Sequence, residues 1–403
     1  MINKCDILIV IPFFNEQARL PEVLDSILKS TKDKFKVHAI LVNHLSTDKS
    51  LEIAKRYSNK FFDFQIINET IPVPCGGQPR NTGLKEAIKQ AEEFYNDSSI
   101  PIATLDADVV VSINFISEII EKLNAGFDIV SFIERYNSKE LIKFVAIQLH
   151  KELSIRNFIG LSWLRYQVLW ALIKAGIKET RGSGGYAMRA STLKELGHKQ
   201  PFDANGQPIT GENNRLGIIA DRKKLRVYCS NYYSQVHPRR EIVSCINIIR
   251  KGYSKNKDNA EIFKLARETE SYPVLSEEQL NNYLINGIKR TIRMVLIRAV
   301  AYDKLDYIKC WFTHSAWQQI ITRSKEFLRQ SRPTKYTLEV IGNGFYNDLL
   351  DFVVSQVGEK EFERFVNFIA NKIPDNKILI IWAKDNSLII DPDPKFINNE
   401  KGN

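Results

Sequence analysis

The strongest constraint in this 403-residue chain is a regular exchange of two hydrophobic periodicities between residues 6 and 133. Asp6 to Pro12 is a continuous apolar run, and Leu20, Val23, Leu24, Ile27 and Leu28 then recur at helical spacing. The pattern repeats. Val37 to Val42 reads as a strand before a helix over Lys49 to Tyr57, and Phe64 to Ile67 as a strand before a helix over Asn81 to Phe94. Ile100 to Leu105 precedes a helix over Phe115 to Asn124, and Asp128 to Ile133 is a further strand. Strands alternating with helices over such a length predict an α/β fold with a mostly parallel central sheet, covered on both faces. Ligands of such sheets sit at the carboxyl ends of the strands. The polar clusters lie just there: Asn15 and Glu16, Asn43 and His44, and Asp106 with Asp108.

Beyond the last of these strands, Ser138 to Lys178 reads as helix and is unusually apolar from Phe158 to Leu172. Arg156, Arg165, Gln167 and Lys174 interrupt it, so it is no membrane-spanning helix. Core packing is one reading; an interfacial or acceptor-covering helix is the other. After His237 long helical patterns follow at Arg239 to Arg267, Glu277 to Tyr302, Asp306 to Gln330 and Thr337 to Ile373, with a capping box at Ser276 and Gln279. Lys377 to Ala383 and Ser387 to Asp391 read as strands of a hairpin. The expected division is an α/β domain over 1–254 and a mainly α-helical module with a short β-hairpin over 255–403.

Net charge is +10, which suits phosphorylated ligands or an anionic surface. No zinc-finger spacing or aromatic RNA-binding signature accompanies it, so nucleic acid is not an expected partner. Cys5, Cys75, Cys229, Cys245 and Cys310 are scattered, as in a reducing compartment. With a strand pattern starting at Asp6, a cytoplasmic location is expected, with a peripheral contact at the inner face of the membrane as an added expectation.

Two carboxylates one residue apart at a strand end suit a hard divalent cation, which takes oxygen ligands and shares substrate phosphates. The surrounding motifs then resemble, in order, those of a family 2 glycosyltransferase of the GT-A fold. They are Ile9 to Glu16, Ser46-Thr47-Asp48, Pro79-Arg80-Asn81-Thr82-Gly83, Leu105-Asp106-Ala107-Asp108, Gly184 to Arg189, Gly211-Glu212-Asn213 and Val236 to Arg240. The resemblance implies that Pro12, Phe13, Asn15, Glu16 and Asn43 line the nucleoside pocket. It also implies that Arg80 meets phosphate, and that Asp106, Asp108 and His237 serve a Mn2+ or Mg2+ ion. The implied reaction moves a sugar from a UDP- or GDP-sugar to a glycan, lipid or metabolite hydroxyl, with inversion.

Two departures stand out. Asn43 and His44 replace an aspartate pair, and Asn213 replaces the usual catalytic aspartate. An amide cannot take a proton at neutral pH, so Glu212 is the expected base, with Asp203 or Asp221 next. These departures also define a rival reading, a catalytically silent nucleotide- or partner-binding protein. A nucleotidyltransferase on a similar sheet lacks support, since the glycine-rich loop and lysine expected after its first strand are missing.

Overall fold

The structure is a computed structural model and describes residues 4–70, 77–177, 185–197, 216–217, 219–220, 222–239, 272–301, 315–331 and 343–384. The chain divides into two compact units, residues 1–135 with 178–236, and residues 136–177 with 237–403.

The first unit holds an eight-stranded sheet. Its strands are β1 (Ile7–Phe13), β2 (Val37–His44), β3 (Asp63–Glu69), β4 (Pro101–Thr104), β5 (Val109–Val110), β6 (Ile129–Tyr136), β7 (Tyr186–Arg189) and β8 (Val227–Val236). They lie in the order β3-β2-β1-β4-β7-β6-β8-β5. β1 pairs in parallel with β2 and β4, and β2 with β3, so the α/β reading and its parallel nucleus hold. All seven residues of β1 are buried, as a strand covered on both faces requires. Three strands were not read from the sequence. β5 has two residues, and β7 and β8 add antiparallel pairs, β7 to β4 and β6, β8 to β5.

The helices of this unit are α1 (Leu20–Thr31), α2 (Ser50–Lys55), α3 (Gly77–Lys89) and α4 (Phe115–Asn124). Leu20, Val23, Leu24 and Ile27 of α1 are buried, as their spacing predicts. Lys32, at φ 50°, ends the helix in the left-handed conformation. α3 packs on β1 and β2 through Gly83, where a Cβ would lie 2.4 Å from Val10 Cγ1.

From Ser138 on, the regular elements among the described residues of the second unit are all helices. α5 (Ser138–Ala146) starts at Asn137, whose Oδ1 accepts the N–H groups of Lys139 and Glu140. α6 (Lys151–Ser154) and a π-helical turn (Ile155–Ile159) lead into α7 (Gly160–Lys174). Residues from Leu161 to Leu172 of α7 are buried on every side, including Trp163, Tyr166 and Trp170, so the apolar segment is core. This unit also contains α8 (Glu277–Ala301), α9 (Ser315–Ser331), α10 (Asn343–Val357), α11 (Glu359–Ala370) and α12 (Asn376–Lys384). The short helix Ala190–Leu196 belongs to the first unit.

The capping box at the start of α8 is present: Ser276 N–H donates to Gln279 Oε1 at 2.9 Å, and Gln279 N–H to Ser276 Oγ at 3.2 Å. The predicted helix over Thr337 to Ile373 is instead α10 and α11, parted by Gly358 at φ 90°. The strand expected at Lys377 to Ala383 is the helix α12. Asp375 Oδ1 caps it by accepting Ile378 N–H at 3.0 Å, and Leu379 and Ala383, four apart, are its buried pair. A short apolar run carries no period that separates strand from helix, which is why it misled. Ser387 to Asp391, and Arg240 to Arg267 of another predicted helix, lie outside the described residues. The contacts group Ser138 to Lys174 with the C-terminal helices, whereas the expected boundary at 254 groups them with the sheet.

Candidate functional site

The chain runs outward from β1 to β2 and β3, then returns to place β4 on the other side of β1. That reversal opens a crevice at the carboxyl ends of β1 and β4, the position where open α/β sheets bind ligands. The loop after β1 carries Asn15 and Glu16, and the loop after β4 carries Asp106 and Asp108.

On the β1 and β2 side, side chains lock the two loops together. Asn15 has a left-handed backbone at φ 52°, a conformation that asparagine tolerates better than most residues. Its Oδ1 accepts Thr47 N–H at 2.8 Å and Asp48 N–H at 3.4 Å, and its N–H donates to Ser46 Oγ at 3.2 Å. Glu16 N–H donates to Ser50 Oγ at 2.7 Å, and Gln17 N–H to Asp48 Oδ2 at 3.1 Å. Phe13 is buried, and Pro12 is the Cα partner of Val42. Asn15 is thus part of the loop scaffold, with Ser46, Thr47 and Asp48 as its partners.

Asn43 is held from two sides. Its Oδ1 accepts Ser46 N–H at 3.2 Å, while its Nδ2 donates to Asn68 Oδ1 at 3.0 Å. An aspartate could keep both contacts only if the Asn68 amide turned to donate, because an ionised carboxylate only accepts. Asn68 and Glu69, at the end of β3, were not singled out from the sequence. Glu69 is buried and accepts a hydrogen bond from the Thr82 hydroxyl of α3. The signal was the same as for the other clusters, polar residues directly after an apolar strand. The neighbour of Asn43, His44, contacts Phe14, with ring centroids 6.1 Å apart.

On the β4 side, Arg80 of α3 is almost fully buried and forms an ion pair with Asp106. Its Nε also donates to Thr104 Oγ1 at 3.4 Å, and that hydroxyl donates to Val10 O at 3.0 Å. Asp108 is buried and directly precedes β5. Two further strands converge here. Tyr186 of β7 is the Cα partner of Thr104, and Val236 at the end of β8 is that of Val109. Gly185 has φ +93°, a backbone conformation that side-chain-bearing residues rarely adopt, so this turn favours glycine. The sequence-predicted Gly184, Glu212, Asn213, Asp203, Asp221 and Arg240 lie outside the described residues.

His237 opens the second unit. Its Nδ1 accepts Arg239 N–H at 3.1 Å, and its Nε2 lies 3.4 Å from Glu140 Oε2. Tyr272 Oη donates to the same Glu140 oxygen at 2.5 Å, and Lys143 Nζ donates to Oε1 at 2.8 Å. Burial raises the Glu140 pKa, but these hydrogen bonds and the nearby His237 outweigh it and hold the carboxyl below its ordinary range.

Asp106 and Asp108 fit Mn2+ or Mg2+ in donor chemistry, since such ions need only one or two protein carboxylates when water and substrate phosphates complete the shell. Among the described residues no cluster of three His, Cys, Asp or Glu side chains could hold a metal by itself. No helix among the described residues is long and apolar enough to cross a membrane.

Residues 8–171 match the family model for glycosyl transferase family 2. The poly(ribitol-phosphate) beta-glucosyltransferase of Bacillus spizizenii is 37% identical over 79 residues, which is 20% of this chain and 12% of that protein. The poly(ribitol-phosphate) beta-N-acetylglucosaminyltransferase TarS of Staphylococcus aureus is 29% identical over 79 residues, 20% of this chain and 14% of that protein. The match thus spans about an eighth of the length of these curated relatives. Among solved structures, S. aureus TarS 1–349 in complex with UDP aligns with a TM-score of 0.42 at 14% identity, over 89% of this chain and 91% of that one. Glucosyl-3-phosphoglycerate synthase from Mycobacterium tuberculosis, in complex with Mn2+, UDP and phosphoglyceric acid, aligns with a TM-score of 0.33 at 17% identity, over 56% and 68%.

Proposed function

We propose, from the match of residues 8–171 to the model for glycosyl transferase family 2, that this chain transfers a sugar from a nucleoside-diphosphate donor to an acceptor hydroxyl, with inversion at the anomeric carbon. The observation that carries the reading is the meeting of Arg80, Asp106 and Asp108 at the crevice between β1 and β4. The loops after β1 and β2, pinned by Asn15 and Asn43, form the nucleoside side, and a UDP-sugar is favoured over a GDP-sugar. Asp108, with Asp106, holds Mn2+ or Mg2+ against the donor diphosphate. Bound there, the ion would offset charge that builds on the departing diphosphate. Arg80 neutralises one carboxylate, so that the site does not repel a dianionic donor. Glu212 is the residue we assign to remove the acceptor proton.

For the acceptor, we favour a polyol-phosphate polymer. The named relatives act on poly(ribitol-phosphate), and a net charge of +10 suits a polyanion.

The test is thermal unfolding with UDP and with GDP, each with and without Mn2+, on the wild type and on Asp108→Ala. A ligand at about 100 times its dissociation constant adds roughly 2.7 kcal/mol of stability. The expected result is a Mn2+-dependent rise with UDP that Asp108→Ala abolishes. No rise with either nucleotide would sink the donor site and leave the silent binding protein as the better account.

A further inference from the structure

We propose that the second unit carries a docking surface for an anionic lipid bilayer, built from Ile147, Leu149, Val274, Ile378 and Ile381. These are all the exposed large hydrophobic residues described in that unit, and Leu149 is the extreme case at 80% exposed. They sit on three segments that hydrogen bonds tie together. Gln148, itself buried between Ile147 and Leu149, donates from Nε2 to Pro273 O at 2.7 Å and accepts Leu275 N–H at 2.8 Å. That clamp fixes the 147–149 turn beside Val274 and leaves the apolar side chains outward. Three residues after Leu149, Glu152 O accepts Asn376 Nδ2 at 3.0 Å, which brings the start of α12 to the same place.

On α12 the exposed face reads Lys377, Ile378, Ile381 and Lys384, two isoleucines between two lysines. Its buried side is Leu379 and Ala383. The helix itself carries no acidic residue, and the Asp375 carboxylate before it accepts Ile378 N–H. Lys151 adds an exposed cation beside Leu149, and the exposed acids on these segments are Glu152, Asp375 and, after Val274, Glu277 and Glu278. Large apolar tips with flanking lysines are the chemistry of a segment that lies in the headgroup layer, the tips reaching the acyl boundary and the lysines meeting phosphate.

Two other occupants fit less well. A polar polyol-phosphate chain offers nothing for five large aliphatic side chains to bury against. A second copy joined face to face would set Lys377 and Lys384 against their equivalents, on a chain that already carries +10.

The experiment is co-sedimentation of the full chain with vesicles of phosphatidylcholine alone and of phosphatidylcholine mixed with phosphatidylglycerol. Binding is expected on the mixed vesicles only. The Leu149→Ser/Ile381→Ser variant should weaken it by at least about tenfold, and Lys377→Glu/Lys384→Glu by a similar factor at low salt. Both variants alter exposed side chains, so an unchanged unfolding midpoint verifies the fold. Equal binding by wild type and variants, or none on anionic vesicles, overturns the proposal. Concentration-dependent dimerisation that Leu149→Ser/Ile381→Ser abolishes would also overturn it and give the surface to a second copy.

Discussion

Arg80→Met isolates the electrostatic core of the candidate site. Methionine keeps most of the apolar stem of a side chain that is only 2% exposed, but deletes the guanidinium that pairs with Asp106. Removing one partner of a buried pair costs about 3–5 kcal/mol when the other stays dry. Asp106 does not stay dry, because its side chain is 28% exposed and water can solvate the orphaned carboxylate. That discount brings the loss to about 2 kcal/mol. The bond from Arg80 Nε to Thr104 is long at 3.4 Å, and the Thr104 hydroxyl keeps its bond to Val10 O, so little is added. A domain of this size class loses roughly 2–4 °C per kcal/mol, so the melting temperature should fall by roughly 4–8 °C. Ligand binding should split in opposite directions. Releasing Asp106 makes the site one unit more negative, so Mn2+ alone should bind tighter by roughly tenfold, the scale of a single added charge in a partly screened site. UDP in the presence of EDTA should bind more weakly. Titration of the free Mn2+ resonance and calorimetry with UDP measure the two. Mn2+ affinity that is unchanged or lower in Arg80→Met would refute the argument that Arg80 holds Asp106 as a counter-charge at the proposed metal site.

Two further expectations concern the frame around the site. Gly83→Ala gains up to about 1 kcal/mol of helix propensity, yet its Cβ would lie 2.4 Å from Val10 Cγ1 and 2.8 Å from Val42 Cγ2, on stiff β-branched side chains of buried strands. Overpacking should win by about 1–2 kcal/mol, lowering the urea midpoint without a change in m; a stabilised variant would disprove the close packing of α3 on the sheet. His38, buried beside the Tyr95 hydroxyl at 3.1 Å, has its pKa lowered chiefly by desolvation, with Asp63 and Glu86 pulling the other way. The unfolded imidazole takes a proton near 6.5 while the folded one resists, so stability should decline as pH falls through about 6.5 toward the folded value. His38→Gln should flatten that decline in urea titrations, and an equally steep decline would assign it to another group.

How far the fold was readable follows from which signals are local. β1 and β2 announce themselves because a strand buried on both faces is largely apolar, and α1 and α4 because one face alone is buried, whereas the half-buried edge strand β3 shows only the short run Phe64 to Ile67. β5, with two residues, holds no period at all, and β7, with four, lies inside the Gly184 to Arg189 motif. α12 failed for the opposite reason. Its apolar run satisfied both templates, and the capping bond from Asp375 that decides between them depends on geometry rather than composition.

The site was readable as a set of strand ends and unreadable as a set of partners. Sheet topology alone brings Asn15, Asn43 and Asp106 to one edge, because β1, β2 and β4 run parallel and loops after parallel strands share a side. What each residue does there depends on cross-loop bonds such as Asn15 to Thr47, Asn43 to Asn68 and Arg80 to Asp106, between positions 25 to 32 apart in sequence. Arg80 shows the consequence. A sequence motif offers its charge to phosphate, but burial commits that charge first to Asp106, since an unpaired guanidinium in that position would be far costlier than one shared with a carboxylate. Its influence on a phosphorylated ligand therefore runs through Asp106. By the same logic, Asn43 in place of the usual acid removes a negative charge from the proposed nucleoside side and engages the amide with Asn68, so in that reading selectivity for the base comes from groups that these bonds hold in place.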